Sequence, residues 1–146
     1  MEVLISGNEL LELIPQRHPV VMIDKFIYGD ETTSISGLTV QSTCVFCEDG
    51  HLTESGLVEN IAQTAAAGVG YNCKKEDKKV PIGFIAAIKN LEVSKLAPVG
   101  KEIRTEVTII NKVLDVTIVS GKVMLNNEEI VKCEMRIFLL PENLKS

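Results

Sequence analysis

The chain has 146 residues, and at about 100–200 residues per domain that length predicts one domain with one core. It is 45% hydrophobic and 24% charged, the composition of an ordinary folded chain, which argues against a disordered or fibrous protein. Twenty acidic against fifteen basic residues leave a formal charge of −5, so a nucleic-acid binder driven by a general phosphate-seeking field is not expected. Aromatic residues make up 4%, with no Trp, which removes the stacking platforms that single-stranded nucleic acid or a glycan would need.

Residues 1–17 show no basic leader followed by a long apolar core, and no stretch reaches about 18 uninterrupted apolar residues. A cytoplasmic protein with no membrane association is the expectation. Residues 8–14, NELLELI, predict a short helix, with Ser6 or Asn8 as cap and Leu10, Leu13 and Ile14 on one face, closed by Pro15. A strand from Val20 to Tyr28, a turn at Gly29-Asp30 and a second strand from Thr32 to Phe46 then read as a hairpin. The four cysteines, Cys44, Cys47, Cys73 and Cys133, are expected as reduced thiols. Cys44 and Cys47 form one C-x-x-C, but no second pair follows at zinc-site spacing, and positions i and i+3 of a strand face opposite ways. No metal or other cofactor is expected.

Residues 56–75, GLVENIAQTAAAGVGYNCKK, place apolar residues at 57, 58, 61, 62, 65, 66 and 69 and predict one long helix, with Ser55 as cap and Lys74 and Lys75 at its negative end. Its Ala- and Gly-rich face lets a sheet approach the axis closely. After the charged loop 74–79 come β-rich runs at Ile82–Leu96, Glu102–Leu114 and Val116–Leu140, punctuated by Pro98-Val99-Gly100 and by Asn126-Asn127. No repeat or low-complexity linker interrupts them, so residues 1–146 read as a single α+β domain: one long helix wrapped by a curved antiparallel sheet, with a short N-terminal helix.

Several segments, in order, resemble the 3-hydroxyacyl-acyl-carrier-protein dehydratases of the hot-dog superfamily. LIPQRHPVVMIDKF (13–26) is similar to the family's opening motif at Arg17, Pro19 and Asp24. FCEDGH (46–51) resembles its Phe-rich stretch ending in Gly-His, and ENIAQTAA (59–66) its helix motif, with Glu59, Ala62 and Gln63 matching. GFIAAIKNLEVSKLAPVGKEIRTEV (83–107) resembles the strand, Pro-x-Gly turn and strand that follow. The resemblance spans residues 13–139 and looks closest to a short branch associated with aryl-polyene-type pathways, because the proline-rich insert between His and Glu is abbreviated to LTESGLV.

The resemblance implies a lyase of fatty acid or polyene biosynthesis that dehydrates a 3-hydroxyacyl thioester, linked to acyl carrier protein or coenzyme A, to the trans-2-enoyl thioester. It implies His51 as base, Glu59 as the group assisting departure of the hydroxyl, and the backbone amide of Gly56 or a neighbour as the group polarising the thioester. It also implies a homodimer or higher oligomer whose sites combine His and Glu from different chains. An unpaired sheet edge beside a single helix gives the same expectation of self-association.

Independently of the family, Glu59 lies about 60° beyond the Val58/Ala62 edge of the apolar stripe at 100° per residue, with Gln63 one turn on. That is a partly desolvated flank, the setting of a proton donor. Gly56 suits either a thioester oxygen approaching the helix start or an ordinary capping position. Gln63 and Phe84 are the further candidates for substrate contact. Arg17, Lys89 and Lys95 are candidates for docking an acidic carrier, alongside Lys101, Arg104 and the lysines at 74–79. Two other readings of the same fold stand beside dehydration: an acyl thioesterase in which Glu59 activates water, and a non-catalytic acyl-binding protein.

Overall fold

The computed structural model describes residues 2–140, and within them alternating apolar residues build strands around one 22-residue helix. In chain order the elements are β1 (Ile5–Ser6), α1 (Gly7–Leu11), β2 (Lys25–Gly29), β3 (Thr33–Thr39), β4 (Cys47–Glu48), β5 (His51–Leu52), α2 (Glu54–Lys75), β6 (Gly83–Val93), β7 (Ala97–Pro98), β8 (Glu102–Val113), β9 (Val116–Leu125) and β10 (Glu128–Leu139). Seven strands form an antiparallel sheet in the order β1-β2-β3-β8-β9-β10-β6, and β4-β5-β7 form a small separate one. This is the α+β hot-dog arrangement that the element order predicted. Among the described residues no helix is long and apolar enough to cross a membrane. Met1 and residues 141–146 of the expected domain lie outside the described residues.

Period-two burial makes the sheet one-sided. Ile103, Thr105 and Val107 of β8, and Thr117, Val119, Val123 and Leu125 of β9, point inward, where they meet Leu57 and Ile61 of α2. The helix approaches β9 so closely that a Cβ on Gly121 would fall 2.4 Å from Ile61 Cγ2. The β9–β10 hairpin turns at Asn126 and Asn127, both at positive φ (51° and 64°), as the dipeptide predicted. A second apolar cluster, Leu10, Leu13, Ile14, Val21, Ile23, Phe26 and Ala67, clamps the N-terminal segment against the other side of α2. There a Cβ on Gly70 would lie 2.1 Å from the Leu13 carbonyl oxygen.

Four features differ from the sequence reading, three for local reasons and one because residues distant in the chain claim its backbone. The first helix is Gly7–Leu11 rather than 8–14, tightening at its end through i→i−3 bonds from Glu12 and Leu13. The long helix starts at Glu54 with Thr53, not Ser55, as its N-cap. Val20–Asp24 is not strand, because the backbone of Val20 and Met22 bonds to side chains of α2 instead of a neighbouring strand. Cys44–Cys47 is a turn closed by Cys47 N–H to the Cys44 carbonyl at 3.1 Å, so its two thiols meet instead of facing apart. Burial, followed by the hydrogen bond with the Cys44 thiol, pushes the Cys47 thiol up to about 11.

The β2–β3 turn is held by Asp30, whose carboxylate accepts hydrogen bonds from the Tyr28 hydroxyl (2.7 Å) and from the Thr32 and Thr33 N–H groups (2.8 and 2.7 Å). The Tyr28 hydroxyl, then these amides, hold that carboxyl at about 2 against an ordinary 3.8. A lowered folded-state value means its stabilisation is complete above 3.8 and is lost as pH falls toward 2. Asp30→Asn therefore lowers the Tm at pH 7, and the gap to wild type closes across that acid window in a thermal-melt series. Gly70→Ala forces a Cβ into the Leu13 carbonyl and costs about 1–3 kcal/mol by denaturant titration.

Candidate active site

Glu59 stands in the second turn of α2, half-buried, at the edge of a cavity of about 830 Å³ between the helix and the sheet. Ala62, Ala66 and Val69 continue its flank at helical spacing, while Phe84, Ile85 and Ile137 line the opposite wall. The small helix side chains leave the space and the sheet supplies apolar surface. Phe84 thus lies where substrate contact was expected, on the outermost strand β6 and 55% exposed.

Gln63, one turn beyond Glu59, is fully buried. Its Oε1 accepts from Met22 N–H at 2.6 Å, and its Nε2 donates to the Val20 carbonyl and to Glu59 Oε2, both at 2.8 Å. Every polar atom of the amide is engaged within the protein, and Gln63 lines neither hollow of the site. The expectation that Gln63 touches substrate is corrected: it holds the carboxylate that faces the cavity.

Gly56, expected for its backbone amide, stands in a tightly packed place. It is buried in the first turn of α2, and a Cβ there would fall 2.4 Å from Leu52 Cδ1 and 2.8 Å from Phe46 Cβ. Close packing explains the glycine. Thr53 gives its hydroxyl to the Phe46 carbonyl at 2.7 Å and makes no side-chain cap to the helix, so the first-turn amides keep their positive potential without a side-chain acceptor.

His51 is exposed on β5, paired with Glu48 across the β4–β5 hairpin and with Pro98 of β7. Its Nδ1 lies 2.9 Å from the Asp49 carbonyl oxygen. A carbonyl only accepts, so Nδ1 carries the hydrogen and the neutral ring presents Nε2 with a free lone pair. The ring lines an open groove of about 440 Å³ with Lys95, Leu96, Pro98 and Leu125. His51 thus lines the groove and Glu59 the cavity, and neither of these two hollows is lined by both.

The three expected docking cations are all exposed, in different settings. Lys95 stands in the His51 groove, paired with Glu128 at 2.8 Å. Lys89 lies on β6 opposite Glu134. Arg17 spends Nη1 on the Ile14 and Gln16 carbonyls, at 2.8 and 2.7 Å, and so closes the loop after α1.

Comparison with known proteins assigns the family. The family model for ApeP-like proteins, described as ApeP dehydratase, matches residues 8–146. The 3-hydroxyacyl-acyl-carrier-protein dehydratase FabZ of Bacillus thuringiensis (strain Al Hakam) is 27% identical over 140 residues, spanning 92% of this chain and 94% of that protein, and the enzyme of the same name from Bacillus mycoides (strain KBAB4) matches equally. Among solved structures, the dehydratase heterocomplex ApeI:P from Xenorhabdus doucetiae aligns with a TM-score of 0.84 at 14% identity, covering 92% of each chain. A hypothetical thioesterase from Streptococcus pneumoniae, solved with coenzyme A, aligns with a TM-score of 0.62 at 8% identity, covering 79% of this chain and 84% of that one. With the family model covering nearly the whole length and the FabZ relatives aligned end to end, the chain belongs to the ApeP-like dehydratase family.

Proposed function

We propose that this protein removes water from a 3-hydroxyacyl thioester to give the trans-2-enoyl thioester, using Glu59 of one chain and His51 of another. The observation that carries the reading is a half-buried carboxyl, clamped through one oxygen by a buried amide, that opens on a cavity whose Ala62, Ala66, Val69, Phe84 and Ile85 offer an apolar path for an acyl chain. His51 Nε2 takes the proton beside the thioester carbonyl, Glu59 delivers a proton to the departing hydroxyl, and water leaves as the double bond forms. The enolate oxygen that develops between these events faces the uncapped first-turn amides of α2. The proton on His51 and the one lost by Glu59 balance through solvent before the next turnover.

Two subunits supply what one chain separates. β6 ends the sheet and exposes Phe84, Ile85, Ile88 and Leu91, so a second chain added at this edge covers apolar surface, pairs free backbone groups and gives the cavity a further wall. The thioester is carried by an acidic acyl carrier protein or by coenzyme A, and Lys95 beside His51, with Lys89 on β6, meets its phosphopantetheine and acidic surface. The cytoplasm is the compartment where such carriers are charged.

Glu59→Gln and His51→Ala each lower enoyl formation from a 3-hydroxyoctanoyl carrier by at least about 10²-fold, read by ultraviolet absorbance or mass spectrometry. Wild-type rates in both variants overturn the assignment, and release of free thiol without an enoyl product selects hydrolysis instead. Mixing the two inactive variants under exchange conditions restores part of the activity, since one site of each mixed dimer keeps both residues. Gel filtration yields a species larger than the 16.0 kDa chain, and a single 16 kDa peak at micromolar concentration contradicts the shared site.

A further inference from the structure

Beyond Gln63, a set of buried polar groups reaches back from Glu59 into the core. Asn60, next to Glu59 on α2, is fully buried. Its Nδ2 donates to the Met22 carbonyl at 2.8 Å and its Oδ1 accepts from the hydroxyl of Thr105 on β8. Met22 thus has both backbone groups bound by α2: its carbonyl by Asn60 and its N–H by Gln63.

The chemistry of the groups fixes the direction of every bond. The Met22 and Val20 carbonyls only accept and the Met22 N–H only donates, so a flip of Asn60 sets acceptor against acceptor and a flip of Gln63 sets donor against donor at Met22 and acceptor against acceptor at Val20. Both hydrogens of Gln63 Nε2 are then committed, one to Val20 and one to Glu59 Oε2. A sequence of positioned groups results: the Thr105 hydroxyl donates to Asn60, Asn60 holds the Met22 carbonyl, and the Met22 N–H, on the preceding peptide unit, donates to Gln63, which donates to Glu59. Oε2 is permanently an acceptor, and Oε1 is the oxygen left to carry a proton.

We propose that Asn60 and Thr105, which line neither the cavity nor the groove, are positioning residues for the acid/base step: by fixing the backbone on both sides of the Met22 Cα they lock Gln63 so that Glu59 exchanges its proton through Oε1 alone. The inference rests on the dehydration reading for its kinetic consequence but not for its structural one. Thr64 and Ser36 provide the internal control. Ser36 bonds Thr64 at 2.6 Å and Thr64 bonds the Asn60 carbonyl at 2.7 Å, so that pair is equally buried and polar but lies outside the sequence ending at Glu59.

The test compares Thr105→Val, Thr105→Ser and Ser36→Ala with the wild type, using 3-hydroxyoctanoyl-N-acetylcysteamine as the probe. Thr105→Val, isosteric but without the hydroxyl, lowers kcat about tenfold with KM nearly unchanged, the scale of a misplaced reacting group. Thr105→Ser restores the rate, and Ser36→Ala lowers Tm without lowering kcat. Equal kcat for Thr105→Val and Thr105→Ser, or an equal loss in Ser36→Ala, overturns the positioning role. Solvent exchange of the Gln63 side-chain NH2 in 15N-labelled protein reads the clamp without turnover. It is slow in the wild type and Thr105→Ser and faster in Thr105→Val, and identical exchange in all three overturns the inference even where the probe is not dehydrated. Absence of enoyl product from the wild type, with the exchange pattern intact, refutes the dehydration reading and leaves the lock standing.

Discussion

A buried backbone with no strand beside it must find its hydrogen bonds elsewhere, and the segment Val20–Met22 finds them on the long helix. Asn60 and Gln63 act there as the missing neighbouring strand, one taking the Met22 carbonyl, the other the Met22 N–H and the Val20 carbonyl. This ties the N-terminal layer to α2 at the turn that carries Glu59. The half-buried setting of that carboxylate follows from it, since the side chain that clamps it is itself immobilised by main chain. An unsatisfied group in this cluster would cost about 1–3 kcal/mol, so the same bonds that shape the site help to hold the fold.

Much of the architecture was legible in the chain itself. The long helix, the four later strands and the Asn126-Asn127 turn all follow from periodicity and turn chemistry, which are local properties. One misplaced feature depends on distant partners and another on a local turn. Val20–Asp24 has the β-branched, apolar composition of a strand, yet Asn60 and Gln63 claim its backbone. Cys44–Cys47 looks like a strand continuation but closes as a turn that leads into the β4–β5 hairpin.

The site was legible in the same uneven way. Glu59 stood out as a carboxyl on the flank of an apolar stripe, and it does border the cavity. Gln63 lay on that flank too, but the wheel offered no sign that an irregular segment would bury it. Asn60 and Thr105 carried only the weak signal of a polar residue at an inward position among apolar neighbours. Gly56, whose two readings the chain alone left open, proves to be a place where Leu52 and Phe46 crowd the helix. His51 could be named from its motif, while the carbonyl that fixes its tautomer belongs to Asp49 at positive φ.

The eleven residues of β6 at the end of the sheet bear on how this protein must be produced. An edge of that length with Phe84, Ile85, Ile88 and Leu91 uncovered is a template for indiscriminate strand addition, the route by which folded proteins coalesce. Such an edge ties the solubility of the folded chain to its concentration, because the more chains there are, the more open edges each one meets.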